Sequence, residues 1–110
     1  MTDHPAPRQS VAQIMNPTAI AFVGASEDLR KFGGRIFHNT VTGGFPGIIV
    51  PVNPRRERLL DLPCVPLVSA APQRIDVAVI AVPRELVLDH VRDCAEARVA
   101  CCVLITAGFT

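Results

Sequence analysis

Residues 19–23, Ala-Ile-Ala-Phe-Val, are apolar at every position and run straight into Gly24. A strand with one wet face alternates apolar and polar residues. A run without alternation is covered on both faces, as in a parallel sheet flanked by helices. The glycine that ends the run lets the backbone turn sharply and approach a ligand closely. A helix restarting after it, near Phe32 or Gly33, offers free N–H groups and the positive end of its dipole to an anion. This is the physical recipe for a phosphate site. The stretch is not a clean G-x-G-x-x-G, however, and strand-glycine turns also arise from packing alone, so both readings stand at this point.

The rest of the chain repeats the theme. The first helix carries Ile36, Phe37 and Val41 inward and stops at Gly43-Gly44, where glycine can take the left-handed conformation. A second strand covers residues 47–52; Pro51 near its end places it at or near an edge, or takes it out of the ladder by Pro51. Residues 53–56, Asn-Pro-Arg-Arg, turn the chain, and residues 57–60 are expected as one helical turn. After a turn over residues 69–72 comes a third strand, 76–82, again apolar beyond its first residue, and Pro83 opens a helix over 84–98. Its apolar positions Val87, Leu88, Val91, Cys94 and Ala95 recur at three- and four-residue steps, with Asp93 among the outward polar residues. A fourth strand covers 100–105. Alternation of this kind predicts an α/β fold, a doubly wound parallel sheet, with the third strand beside the first on the side away from the second. Stopping soon after the fourth strand leaves that strand at an edge, so the domain is read as truncated there.

With 110 residues, one domain is expected. Residues 1–12 read as a flexible arm, with Ser10 capping a short helical turn through Met15, and residues 13–110 as the folded domain. The net charge of +1 provides no basic field, and no aromatic-basic interleaving offers a platform for nucleic acid. No apolar run reaches the roughly 18 residues of a membrane span, and no leader pattern opens the chain, so a cytoplasmic location without membrane contact is expected. Cys64, Cys94, Cys101 and Cys102 lack metal-ligand or redox-pair spacing and read as small buried hydrophobes; no metal site is expected. His4, His38 and His90 stand apart from any recognisable triad, so no catalytic residue is assigned.

A site for NAD needs an acid about 20 residues beyond the glycines to accept from the ribose hydroxyls. Here the second strand ends instead in Asn53-Pro54-Arg55-Arg56, two guanidinium groups that suit an extra phosphate. A phosphorylated ribose is favoured over a merely solvated turn at the two arginines, and it points to NADP or coenzyme A.

Several ordered motifs then carry a resemblance. Residues 21–26 (AFVGAS), Lys31 with Gly33-Gly34, residues 44–47 (GFPG), 51–54 (PVNP), 76–83 (DVAVIAVP) and 106–109 (TAGF) together resemble the CoA-binding, Rossmann-like domain of ADP-forming acetate-CoA ligases and related acyl-CoA synthetases. More distantly they are similar to the succinyl-CoA synthetase alpha subunit. The resemblance implies that Gly24, Ala25, Ser26, Lys31 and Phe32 hold the phosphates and nucleotide side of CoA. It also implies that Asn53, Pro54, Arg55 and Arg56 flank the adenosine phosphate, that Val82 and Pro83 line the nucleotide cleft, and that Ile105, Thr106 and Ala107 approach the pantetheine arm. In that family, energy transfer runs through a phosphorylated histidine in a later domain and a nucleotide-grasp domain, neither of which this chain carries. The expectation is a CoA or acyl-CoA binding module, catalytically incomplete alone, that works with further domains or a partner subunit. An NADP-linked oxidoreductase module and a degenerate fragment serving as an interaction domain are the alternatives.

Overall fold

The computed structural model describes residues 16–105. The expected N-terminal arm and helical turn, and the last turn at Thr106 and Ala107, lie outside the described residues.

Four strands form one parallel sheet: β1 (Ala19–Val23), β2 (Ile48–Val52), β5 (Val77–Ile80) and β6 (Cys101–Leu104), in the order β2-β1-β5-β6. The third of the four main strands thus lies beside the first on the side away from the second, as the alternating pattern predicts. Register is fixed by the pairs Ala21↔Val50, Ala21↔Ala78 and Ala78↔Cys102. Helix α1 (Phe32–Thr42) follows β1 and α2 (Arg84–Glu96) follows β5.

The lack of alternation in β1 has the expected cause. Ala19, Ala21 and Val23 face a cluster with Val52, Val68, Ile80 and Cys94, on the side of α2. Phe22 faces the other way, into a cluster with Ala25, Phe37 of α1 and Leu59. The Phe22 and Phe37 rings meet tilted at 5.6 Å between centroids, a favoured aromatic arrangement. Both faces of the central strand are therefore dry. Helix α1 ends as its glycines require: Gly43 donates to the Asn39 carbonyl and Gly44 takes φ +82°.

Pro51 remains in the ladder, opposite Phe22. Its carbonyl points outward and accepts from Val65 N–H at 3.1 Å, and its nitrogen lies on that same outer side, so no donor is lost from pairing with β1. Asn53 N–H returns a bond to Val65, covering this end of the β2 edge.

Three expectations are corrected. Residues 57–60 form no helical turn. Arg58–Leu59 (β3) and Leu62–Pro63 (β4) pair as a small antiparallel hairpin, because Leu59 is drawn into the aromatic cluster and Leu60 and Asp61 take positive φ (49° and 64°), outside the right-handed helix. In place of a simple turn over 69–72, Val68–Ala70 forms one turn of 3-10 helix. On α2, Leu88 and Ala95 are exposed while Asp93 is buried, since its carboxylate accepts from the Ser69 hydroxyl and N–H of that turn. A buried carboxylate held by two donors rotates the helix away from the face that apolarity alone selects.

Candidate functional site at the C-terminal ends of the strands

The parallel strands deliver their C-terminal ends to one side of the sheet, where backbone bonds tie them together. Gly24 N–H donates to Val52 C=O (3.1 Å), Ala81 N–H to Val23 C=O (2.9 Å), and Ile105 N–H to Ile80 C=O (2.8 Å). Gly24, Asn53, Ala81, Val82 and Ile105 thereby share one edge, the crevice where open α/β sheets bind ligands.

Gly24 is demanded by this edge for two reasons. Its φ is +83°, and a Cβ placed on it would lie 2.2 Å from the Ala81 carbonyl oxygen and 3.0 Å from a Val82 methyl. Gly33, in the first turn of α1, would meet the Ala81 methyl at 2.6 Å, so the helix start is pressed against the same strand end. Gly24 N–H is consumed in bonding Val52, so this residue offers the edge its turn and close approach and no free donor. Helix α1, with Lys31 as its N-cap residue, begins without a side-chain cap, and Lys31 N–H is itself taken by Asp28 C=O (3.2 Å).

The turn is stiffened from within. Ser26 Oγ accepts from Asp28 N–H (3.0 Å), and Asp28 Oδ1 accepts from both the N–H and Nε of Arg30 (3.0 Å each). The Arg30 side chain chiefly holds the Asp28 carboxyl below its usual range. Lys31 is exposed at the helix start, and Phe32 beside it, 48% exposed, carries the Arg35 guanidinium 5.5 Å above its ring.

Asn53 joins the two loops. Its Nδ2 donates to Ala25 C=O (3.1 Å) and its Oδ1 accepts from Arg55 N–H (2.8 Å), so one amide fixes the glycine turn and starts the turn that carries Pro54, Arg55 and Arg56. The two arginines, paired in sequence, differ in space. Arg56 lies 3.4 Å from Glu27, while Arg55 is exposed and shows no side-chain partner among the described residues. Glu27 also accepts from Leu60 N–H through its other oxygen (3.1 Å). The Leu60 bond first, and Arg56 second, hold the Glu27 carboxyl below its usual range. Glu27 is the residue that the sequence reading missed; an acid inside the glycine turn, with two arginines in the next loop, was its only signal.

Val82 packs on Gly24, and Pro83 stands exposed just before α2. Ile105 is half-buried. Cys94 is buried on the α2 face, where burial pushes its thiol up to about 12, and burial also raises Cys64 and Cys102. Only Cys94 is fully buried, which narrows the expectation for the other three to half-buried packing. No group of metal-ligating side chains occurs among the described residues, and no helix among them is long and apolar enough to cross a membrane. A separate open depression lined by Asn16, Pro17, Thr18, Pro46, Gly47 and Ile48 lies at the opposite end of the sheet and contains no charged side chain.

A parallel α/β sheet with its glycine turn, basic loop and strand ends on one edge defines a Rossmann-like domain. Residues 18–109 match the CoA binding domain family, and the chain belongs to it. Over 94 residues it is 36% identical to the ADP-forming acetate-CoA ligase II of Archaeoglobus fulgidus, covering 86% of this chain and 14% of that protein. It is 37% identical over 102 residues to a trans-feruloyl-CoA synthase of an unknown prokaryotic organism, covering 93% of this chain and again 14% of the relative. Among solved structures, the dinucleotide-forming acetyl-coenzyme A synthetase 1 of Candidatus Korarchaeum cryptofilum, in complex with phosphate and ADP, superposes with a TM-score of 0.85 at 45% identity. That match covers 90% of this chain and 21% of that one. The chain thus spans about one seventh to one fifth of the length of these relatives.

Proposed function

We propose that this chain binds coenzyme A, or an acyl-CoA, as the CoA-binding module of an ADP-forming acyl-CoA synthetase, and that acyl transfer requires further domains or a partner subunit. The observation that carries the reading is the match of residues 18–109 to the CoA binding domain family on a sheet whose C-terminal edge unites the Gly24 turn with the Asn53 to Arg56 loop. In this reading the N–H groups at the start of α1 and the Lys31 ammonium face the diphosphate, and Arg55 and Arg56 face the phosphorylated ribose. Val82 and Ile105 form the apolar wall, and Thr106 and Ala107 follow along the pantetheine arm.

The relatives also suggest what this module does not choose. They include a trans-feruloyl-CoA synthase, a 4-hydroxybutyrate-CoA ligase of Nitrosopumilus maritimus and acetate-CoA ligases, whose acids differ widely in size. Their names share CoA, so selection of the acyl group belongs outside this module.

The test is thermal denaturation of the chain with CoA, 3′-dephospho-CoA, NADP and NAD at equal concentration. CoA at 100 times its Kd should raise Tm by roughly 10 °C for a domain of this size, with a smaller rise for the dephospho form. A larger rise with NADP would move the chain to the oxidoreductase reading, and no rise with any ligand would reject both.

A further inference from the structure

Glu27 touches two elements that the sequence separates widely. One carboxylate oxygen lies 3.4 Å from Arg56 Nη2 and the other accepts from Leu60 N–H at 3.1 Å. The first contact reaches the loop after β2, and the second reaches the hairpin turn, whose residues Leu60 and Asp61 both have positive φ without being glycine. Asn53, from that same loop, reaches back to Ala25, two residues before Glu27. Two side chains thus cross between the loops in opposite directions, 53 to 25 and 27 to 56.

The charges around this crossing are unequal in their freedom. Arg30 is committed to Asp28, and Arg58 Nη2 donates to the Asp61 carbonyl. Arg56 has one of its terminal nitrogens on Glu27, at a long distance, with half its side chain exposed. A guanidinium has five donors in a rigid fork, so a single long contact orients it while leaving most of the fork for an anion.

We propose that Glu27 is a positioning residue of the ligand site: by anchoring Leu60 N–H with one oxygen it keeps the other in place to hold the Arg56 guanidinium beside the glycine turn, ready for a phosphate. The proposal rests on the CoA reading and names the group that prepares one of its phosphate contacts. Without Glu27, a long arginine side chain on an exposed loop samples many rotamers and gives up freedom on binding. With it, part of that loss is taken in the free protein.

The experiment is calorimetric titration of the full chain and of its Glu27→Ala, Glu27→Gln, Arg56→Ala and doubly substituted E27A/R56A variants with CoA and 3′-dephospho-CoA. Glu27→Ala should weaken CoA roughly fivefold and the dephospho form much less, narrowing their ratio toward that of Arg56→Ala. The double variant should be no weaker than Arg56→Ala alone, because both act through one guanidinium. Glu27→Gln, which retains an acceptor for Leu60 N–H without the charge, should fall between wild type and Glu27→Ala. General loosening of the fold would weaken both ligands alike and leave the ratio unchanged, which would overturn the proposal. So would unchanged or tighter CoA binding by Glu27→Ala, or additive losses in the double variant. Wild-type protein that fails to bind CoA would reject the CoA reading and this inference with it; wild-type protein that binds while Glu27→Ala is silent would reject the inference alone.

Discussion

Asp76 and Glu27 sit at opposite ends of the same sheet and do the same thing under different conditions. At the N-terminal end, Asp76 is 6% exposed, and its Oδ2 accepts from Thr18 N–H (2.7 Å), the Thr18 hydroxyl (2.8 Å) and Ala19 N–H (3.1 Å). Its own backbone joins Ala19 and accepts from Ala100 and Cys101, so β1, β5 and β6 all start from one residue. At the C-terminal end, Glu27 also gathers a backbone N–H and a cation, but in water. The difference teaches where the fold is fixed and where it is free. Water has little access to the Asp76 carboxylate and none to its bond with the buried Ala19 N–H, whereas at Glu27 water and anions compete on nearly equal terms. The scaffold is tied at the end away from the proposed ligand edge, and exchangeable contacts are left at that edge.

The largest test of this contrast is Asp76→Ala. It removes the charged acceptor shared by the buried Ala19 N–H and by the N–H and hydroxyl of Thr18, and should cost about 4 kcal/mol of stability, read from urea denaturation. A loss under about 1 kcal/mol would erase the asserted difference between the two ends. Next comes Gly24→Ala, with an expected loss of about 3 kcal/mol, because the methyl collides with the Ala81 carbonyl and the positive φ adds strain. This effect should appear in denaturation without any ligand, showing that the backbone of the C-terminal end is as tightly built as the other end and that only its side chains are loose.

Much of this was legible in the chain. Unbroken apolarity in β1 announced a strand dry on both sides, and Gly43-Gly44 announced the end of α1, because both signals are local. Pro51 announced an edge for the same reason. What escaped was set by partners distant in sequence. Asp93 looks like an outward residue until Ser69, 24 positions earlier, places two donors against it. Leu60 and Asp61 carry no turn signature, since the hairpin is imposed by burial of Leu59 and by Glu27 reaching Leu60 across 33 positions. The site followed the same division. Gly24 and Asn53 were visible as residue types, but their bonds turned out to be largely internal. Arg55 and Arg56, equivalent in sequence, were separated only when the fold put Glu27 beside one of them.

A smaller effect should come from Asn53→Ala, which removes the bond to Ala25 C=O and the acceptor for Arg55 N–H. Half-buried and beside water, these bonds are worth about 1 kcal/mol together. Hydrogen exchange should sharpen the comparison: protection should fall at Arg55 while the amides of Thr18 and Ala19 at the opposite end keep theirs. Loss of protection at both ends would mean that the two edges form one cooperative unit.

The smallest effect expected is on the acid limb of stability. Glu27 and Asp28 are held below their ordinary values of 4.5 and 3.8, by Leu60 N–H and Arg56 for the first and by Arg30 for the second. The unfolded chain takes up these two protons at a higher pH than the folded one. Their contribution is therefore complete above pH 4.5, declines as the pH falls below it, and disappears once the folded carboxyls are protonated. Glu27 is exposed and Asp28 partly so, and solvent screening keeps the contribution slight. A Glu27→Gln/Asp28→Asn variant should have a Tm just below wild type at pH 7, by less than any variant above, and the two curves should merge on acidification. The Asp76→Ala curve should stay well below wild type at pH 7 under the same conditions. If the Glu27→Gln/Asp28→Asn gap at pH 7 equals that of Asp76→Ala, exposure does not separate the two carboxylate ties, and the contrast between the ends of the sheet fails.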